Sequence, residues 1–250
     1  MLGGEDYTGS ATLTAEWEVA PDITTITYMQ EMTPTLCANT AEHVTTTLTD
    51  SRDGKNYTVA KLKDGKCWMA HNLMLTTRPG DLTPNDTDIS SNWRMANESS
   101  NFGTSCVNAQ KIYHSSDSTQ YSQYGTYYNW YAATAGTGTC EMTSGEAPSS
   151  ICPKGWKLPT GGTASSDIYG LYSFYAQDNL NPPLSLVLSG EYVGDFYNQG
   201  SMGEFWSSTA ITIYGGELQN WILLSFHGRI DDYMQSYPRN PGLTVRCVAR

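Results

Sequence analysis

Six cysteines, Cys37, Cys67, Cys106, Cys140, Cys152 and Cys247, constrain this chain more than any other feature. Their number is even, their spacing is wide, and no CxxC pair occurs. That pattern predicts three disulfides formed in an oxidising compartment, each tying together segments far apart in sequence. The rival reading, a zinc site, needs closely spaced Cys or His ligands, and the chain has none. Six cysteines admit some fifteen connectivities, so the pairing stays open on counting alone.

The rest of the composition agrees with a protein seen from outside the cell. The 250 residues leave ample length for a core, yet only 16% are charged. The polarity comes from Thr, Ser, Asn and Gly, together with 17 Tyr and 7 Trp. Such a mixture suits an all-β or loop-rich α+β protein. A net charge of −11 would repel a phosphate backbone, which argues against a nucleic-acid partner. No apolar run reaches the length of a bilayer span, so direct membrane insertion is not expected. Met1-Leu2-Gly3-Gly4 has neither the charged nor the apolar region of a secretory signal. Beside the expected disulfides, this suggests a piece of a longer exported protein, extracellular or at the cell surface.

Along the chain, residues 1–20 end in an alternating strand with Ala11, Leu13, Ala15 and Trp17 on one face, followed by the break "VAPD". This resembles the end of a Listeria–Bacteroides type surface repeat, truncated at its start. The main body is expected over 26–250, opening with a β-hairpin extension. Thr45–Leu48 and Tyr57–Leu62 are predicted strands around the turn "SRDGKN". Residues 76–125 read as long polar loops held by aromatic contacts. A short helix is predicted within 125–136, stopped by Gly136. A longer one is predicted over 165–179, capped by Ser165 or Ser166, with Ile168, Leu171, Tyr172 and Tyr175 on one stripe. Leu184–Leu188, Phe205–Ser208, Trp221–Phe226 and Leu243–Ala249 are predicted late strands. Few helices and many short strands make the class α+β.

Five segments recur in a telling order: "GKCWMAHNL" (65–73), "GTYYNWYAA" (125–133), "CPKGWKLPT" (152–160), "FWSST" (205–209) and "GLTVRCVAR" (242–250). Together they resemble the Fibrobacter-type major paralogous domain, related in turn to the formylglycine-generating-enzyme version of the C-type-lectin-like fold. The resemblance implies that the N- and C-terminal strands pair and that the late strands form a small sheet. It also implies Cys152–Cys247, with Cys37–Cys67 closing the first hairpins and Cys106–Cys140 clamping the loop region. Cys140–Cys152 is the competing pair. Read as residues alone, all five motifs serve as scaffold.

The same resemblance raises two chemistries. Formylglycine-generating enzymes use a close reactive cysteine pair on copper, and the late region here holds only Cys247. Sulfoxide-synthase relatives use three histidines on iron, whereas His43, His71, His114 and His227 are scattered and no HxxxHxE occurs. No GxSxG is present, and Asp231-Asp232 are adjacent and point apart. The expectation is therefore no enzyme, no catalytic residue and no cofactor. The sugar-binding EPN, QPD and WND motifs of C-type lectins are missing as well. A structural Ca²⁺ on Asp, Asn and carbonyl oxygens stays open.

One segment resists a simple strand reading. In Trp221–Phe226, Ile222, Leu224 and Phe226 fall on one face, and Trp221, Leu223 and Ser225 on the other. Either both faces are buried, or the second is apolar because something binds there. The following residues are chemically mixed and rich in Tyr, as interfaces are. Taken as one outward face, Trp221, Leu223, Ser225, His227, Arg229, Asp231, Tyr233, Gln235 and Tyr237 would bind a ligand. Ile211, Ile213 and Tyr214 would join them from the preceding loop. Ile222, Leu224, Phe226 and Ile230 would be inner, with a reversal near His227-Gly228. This layout resembles the variable proteins of diversity-generating retroelements, which implies a cell-surface domain binding a protein or glycan on another cell or surface. A structural or adhesin module without diversification, and a divergent enzyme of the formylglycine-generating type, are the alternatives.

Overall fold

A computed structural model describes residues 19–76, 97–98, 110–213, 218–226, 229–230 and 235–250. The truncated repeat expected over residues 1–20 lies outside them, apart from its last two residues, and so does most of the 76–125 loop region.

In chain order, two single-turn 3₁₀ helices (Ile23–Thr25 and Met29–Glu31) precede α1 (Pro34–Asn39). Thr33 caps α1 by accepting from the Leu36 amide, and Pro34 occupies its first turn. The strands β1 (Thr45–Thr49), β2 (Asn56–Lys61) and β3 (Cys67–Met69) follow, then β4 (Asn97–Glu98), β5 (Lys111–Tyr113), α2 (Ser118–Tyr124) and β6 (Tyr127–Tyr128). Next come α3 (Trp130–Ala133), β7 (Gly145–Glu146), β8 (Trp156–Lys157) and α4 (Asp167–Tyr175). The last part contains β9 (Glu191–Tyr192), β10 (Phe196–Tyr197), β11 (Met202–Thr212), β12 (Leu218–Phe226), β13 (Arg229–Ile230), β14 (Gln235–Pro238) and β15 (Val248–Ala249). Short strands dominate and the described α-helices are four, in keeping with the α+β class.

One sheet has the order β1-β2-β3-β15-β8, so the end of the chain is laid beside its first hairpins, Val248 opposite Trp68. A second sheet is built on the β11–β12 pair. β7 flanks β11, while β13 and β14 both pair with the other edge of β12. The helices form where local chemistry favours them. Ser166 caps α4, and Ile168, Leu171 and Tyr175 are buried as the stripe requires. Asn129 caps α3 and also accepts from the Lys111 amide, fixing α3 to β5. α2, capped by Asp117, was not expected in a region read as loop. Its Ser-Thr-Gln-Tyr composition gives no apolar stripe to read.

Two further strand expectations fail, each for its own reason. Residues 184–188 form no ladder, because the Leu184 and Ser185 carbonyls accept from the Arg246 guanidinium at 2.7 and 2.6 Å. In the last segment only Val248–Ala249 is regular strand. Upstream, the backbone changes partner residue by residue: Leu243 with Tyr128, Thr244 with Glu204, Val245 with Leu73 and Cys247 with Met69.

The motifs act as scaffold. Trp68, Trp130, Trp156 and Trp206 are fully buried, one in each of the first four motifs. Every indole N–H has an acceptor: Asp64 Oδ2 at 2.8 Å, the Ser207 carbonyl at 3.0 Å, the Met29 carbonyl at 2.8 Å and the Tyr128 carbonyl at 2.6 Å, respectively. This is how a large ring is buried without orphaning its donor. Two motif glycines are required by their surroundings. Gly125, at φ +80°, would place a Cβ 3.0 Å from the Leu73 carbonyl, and Gly155, at φ +84°, one 2.5 Å from the Met32 carbonyl.

Cys37–Cys67 and Cys152–Cys247 are bridged, with Cα atoms 5.8 Å apart in each. The second bond excludes the Cys140–Cys152 alternative. Cys140 is disulfide-bonded too. Cys106, the partner that the resemblance implies for it, lies outside the described residues.

Candidate functional site: the sheet of strands 202–238

The site expected from sequence lies on the second sheet, and the register decides which residues share a face. β11 and β12 are antiparallel, pairing Phe205 with Leu223 and Trp206 with Ile222. Directly opposed residues point to the same side. Trp206 and Ile222 pack into one hydrophobic cluster, with Trp130, Trp156, Val245 and Cys247. Phe205 and Leu223 pack into another, with Trp68, Ile168, Leu171, Ile230 and Val248. At this point the sheet is sandwiched between two cores, and both of its faces are buried.

This corrects the assignment of Leu223 and Ser225 to an outward face. Leu223 is 1% exposed, and Ser225 is buried with its hydroxyl donating to Asn179 Oδ1 at 2.7 Å. Ile222 and Ile230 are buried, as expected for inner residues. They nevertheless face opposite cores, not a common one.

The hairpin explains why. Phe226 pairs with Arg229 and Ser225 with Ile230 across the two-residue reversal at 227–228. Paired residue numbers therefore differ in parity, so odd positions of β12 share a side with even positions of the returning strand. The register moves by two residues before β14, where Ile222 pairs with Gln235 and Asn220 with Tyr237, and the parity rule persists. Arg229, Gln235 and Tyr237 thus share a side with Ile222, Glu204 and Trp206. Leu223 and Ser225 lie on the reverse, together with Ile230 and Ser236. The odd-numbered set is not one surface.

The other expected residues divide as follows. Arg229 is exposed, while Gln235, Tyr237, Ile211 and Ile213 are half-buried. Trp221 pairs with Ser236, but its side chain lies outside the described part of the structure. Tyr214, His227, Asp231 and Tyr233 lie outside the described residues.

The fold adds groups that periodicity did not single out. Glu204, on β11, is 3% exposed, and its Oε2 has no hydrogen-bond partner. Glu191, on β9, accepts from the Tyr237 hydroxyl at 2.7 Å. Burial, with the Glu191 charge second, pushes the Glu204 carboxyl up to about 7. Burial and the same Glu191 carboxylate hold the Tyr237 phenol far above its usual value. Alongside, Tyr127, Tyr192, Tyr113 and Phe196 form an aromatic cluster, in which Tyr113 and Tyr192 stack at 3.8 Å. The sequence signal for Glu204 was an acid directly before "FWSST", in a strand otherwise destined for the core.

Arg239 is buried against Trp130, 4.7 Å from the ring centroid. Its guanidinium donates to the Thr139, Cys140, Met142 and Gln219 carbonyls. That clamps the 139–142 loop to the start of β12. Two clefts of about 280 and 260 Å³ flank Lys157 on the other sheet. Lys157 and Lys66 are both committed there to Asp167, which also accepts from Thr160. Among the described residues, no group of three or more His, Cys, Asp or Glu side chains could hold a metal ion. No helix among them is long and apolar enough to cross a membrane.

Residues 64–162 match the family model of the Fibrobacter succinogenes major domain. The matched segment covers less than half of the chain and includes the first three motifs, with Trp68, Trp130 and Trp156. The sheet of strands 202–238 lies beyond it, apart from β7. No curated protein and no solved structure matches the chain.

Proposed function

We propose that this is a non-catalytic ligand-binding domain of an exported, cell-surface protein, with a C-type-lectin-like scaffold. It requires no redox metal or other cofactor. Its ligand is a protein or glycan on another cell or surface, taken at the 229–237 end of the second sheet. One observation carries the reading. The motif residues are spent on the core, whereas Arg229 on β13 and Gln235 and Tyr237 on β14 share one side of the sheet's outer edge and keep access to solvent. A mixed Arg, Gln and Tyr surface on a rigid sheet suits recognition. The two disulfides support an oxidising, extracellular setting.

The variable-protein reading takes a narrowed form here. Diversification of Leu223 or Ser225 would perturb the core, so a diversified set on the proposed face would draw on Arg229, Gln235 and Tyr237. The genomic test is a reverse transcriptase gene beside a near-copy of codons 206–247 that differs at adenines. The biochemical test screens the wild-type domain against arrayed glycans and intact bacterial cells, then repeats the screen with Arg229→Ala/Gln235→Ala. Lost capture with an unchanged melting temperature is expected. Equal capture by both proteins would refute this binding face, and one equivalent of copper or iron in the purified domain would revive the enzyme alternative.

A further inference from the structure

The buried carboxylate of Glu204 has no role in the packing just described, and its surroundings say what occupies it. The titratable groups acting on it or feeling its charge come from three elements: Glu191 from β9, Tyr237 from β14 and Tyr127 from β6. Neither phenol can supply a proton. The Tyr237 hydroxyl donates to Glu191 Oε2 at 2.7 Å, and the Tyr127 hydroxyl donates to the Ser189 carbonyl at 2.7 Å while accepting from Gln199. Among the described residues, no cation acts on Glu204. A Ca²⁺ wants six to eight oxygens, and two carboxylates with a phenol are too few. The occupant that fits a dry, unpartnered carboxylate oxygen beside a second carboxylate is a proton.

We propose that Glu204 is a proton-operated latch on strand Gln235–Pro238. While Glu204 is neutral, Glu191 holds the Tyr237 hydroxyl, seating the strand. When Glu204 ionises, two carboxylates face each other in a poorly hydrated site, and the Glu191–Tyr237 bond is given up as the β9 and β14 sides separate. Burial and the Glu191 charge raise the Glu204 carboxyl from 4.5 to about 7. A carboxyl raised in the folded state contributes stability that is fully present below its unfolded value and is lost as pH rises through the folded one. The latch is therefore tightest below about pH 4.5 and loosens progressively as the pH rises to about 7. Its consequence for ligand capture, weaker binding above about pH 7, rests on the binding face proposed above; the latch itself does not.

The test is amide hydrogen exchange at Gln235, Ser236 and Tyr237, read as protection factors that already correct for base catalysis. With folded and open carboxyl values of about 7 and 4.5, opening should rise roughly tenfold between pH 6 and pH 8. Protection in the wild-type domain should fall by that factor, and the Tyr237 ring resonances should titrate near neutrality. Glu204→Gln, which mimics the neutral acid, should show neither change. Glu191→Gln, which removes the repelling charge, should move the midpoint downward; this second variant keeps the test decisive if the first folds poorly. A flat wild-type profile, or the same pH response in Glu204→Gln, overturns the latch. Because no ligand is used, failure of the binding-face reading leaves the outcome interpretable, and failure of the latch leaves that reading standing.

Discussion

Replacing Leu223 separates a core residue from a displayed one. Leu223→Ala removes three carbons from a side chain that is 1% exposed and packed in a cluster with Phe205, Ile230 and Ile168. Lost transfer at about 0.8 kcal/mol per carbon gives ~2.4 kcal/mol. The cavity left between sheet and helix adds about half as much again, for a total of about 3–4 kcal/mol. In a domain of this size each kcal/mol lowers the melting temperature by roughly 2–4 °C, so the midpoint should fall about 6–15 °C. Calorimetry on the oxidised protein, with urea denaturation alongside, measures it. Arg229→Ala is the internal control; as an exposed site it should stay within about 0.5 kcal/mol of wild type. Ile230→Ala enlarges the same cavity, so the double variant should depart from the sum of the single effects. A melting temperature within about 2 °C of wild type for Leu223→Ala would refute the two-core account. It would return Leu223 to the displayed set.

Replacing both cysteines of the Cys152–Cys247 bridge, which closes a loop with a sequence separation of 95, should cost about 4.7 kcal/mol. The Cys37–Cys67 bridge, with a separation of 30, should cost about 3.6 kcal/mol. Urea midpoints of the two double Ser variants check the order, and a larger loss from the shorter loop would contradict it. Arg246→Leu should destabilise by about 3 kcal/mol or more, since it leaves the Leu184 and Ser185 carbonyls and Asn72 Oδ1 without their donor. Exchange at residues 184–189 should rise in the same variant, and unchanged protection there would show that Arg246 does not hold that segment.

Much of the scaffold was legible because its signals are local. Ser166 and the Ile168, Leu171, Tyr175 stripe specify α4 within a dozen residues. The β1–β2 hairpin is announced by alternation around "SRDGKN", whose Arg52 pairs with Asp50 and reaches the Ile151 carbonyl. The tryptophan motifs marked the core because a ring of that size, flanked by small residues and glycines, has few other places to go. Residues 184–188 misled for the opposite reason. Their pattern is strand-like, but Arg246, some sixty residues further on, takes the carbonyls that a ladder would need.

The second sheet marks the boundary between the two kinds of information. By itself, the sequence determined that Phe205–Ser208 and Trp221–Phe226 would be strands, that the chain would reverse near His227-Gly228, and that Ile222 and Ile230 would be buried; the stretch it read as the preceding loop instead extends β11 to Thr212 and opens β12 at Leu218. Alternation is a property of the backbone and needs no partner. What stands on each side of a strand is not, and only the tertiary structure decided it. α4 and β15 supply a second core beneath Leu223, so an apolar second face meant packing there. A two-residue reversal also inverts the parity of the returning strand, which placed Arg229, Gln235 and Tyr237 opposite Leu223 and Ser225. The Glu191, Glu204 and Tyr237 cluster was equally out of reach. It joins β9, β11 and β14 through residues far apart in sequence, and Glu204 is buried only in the folded chain.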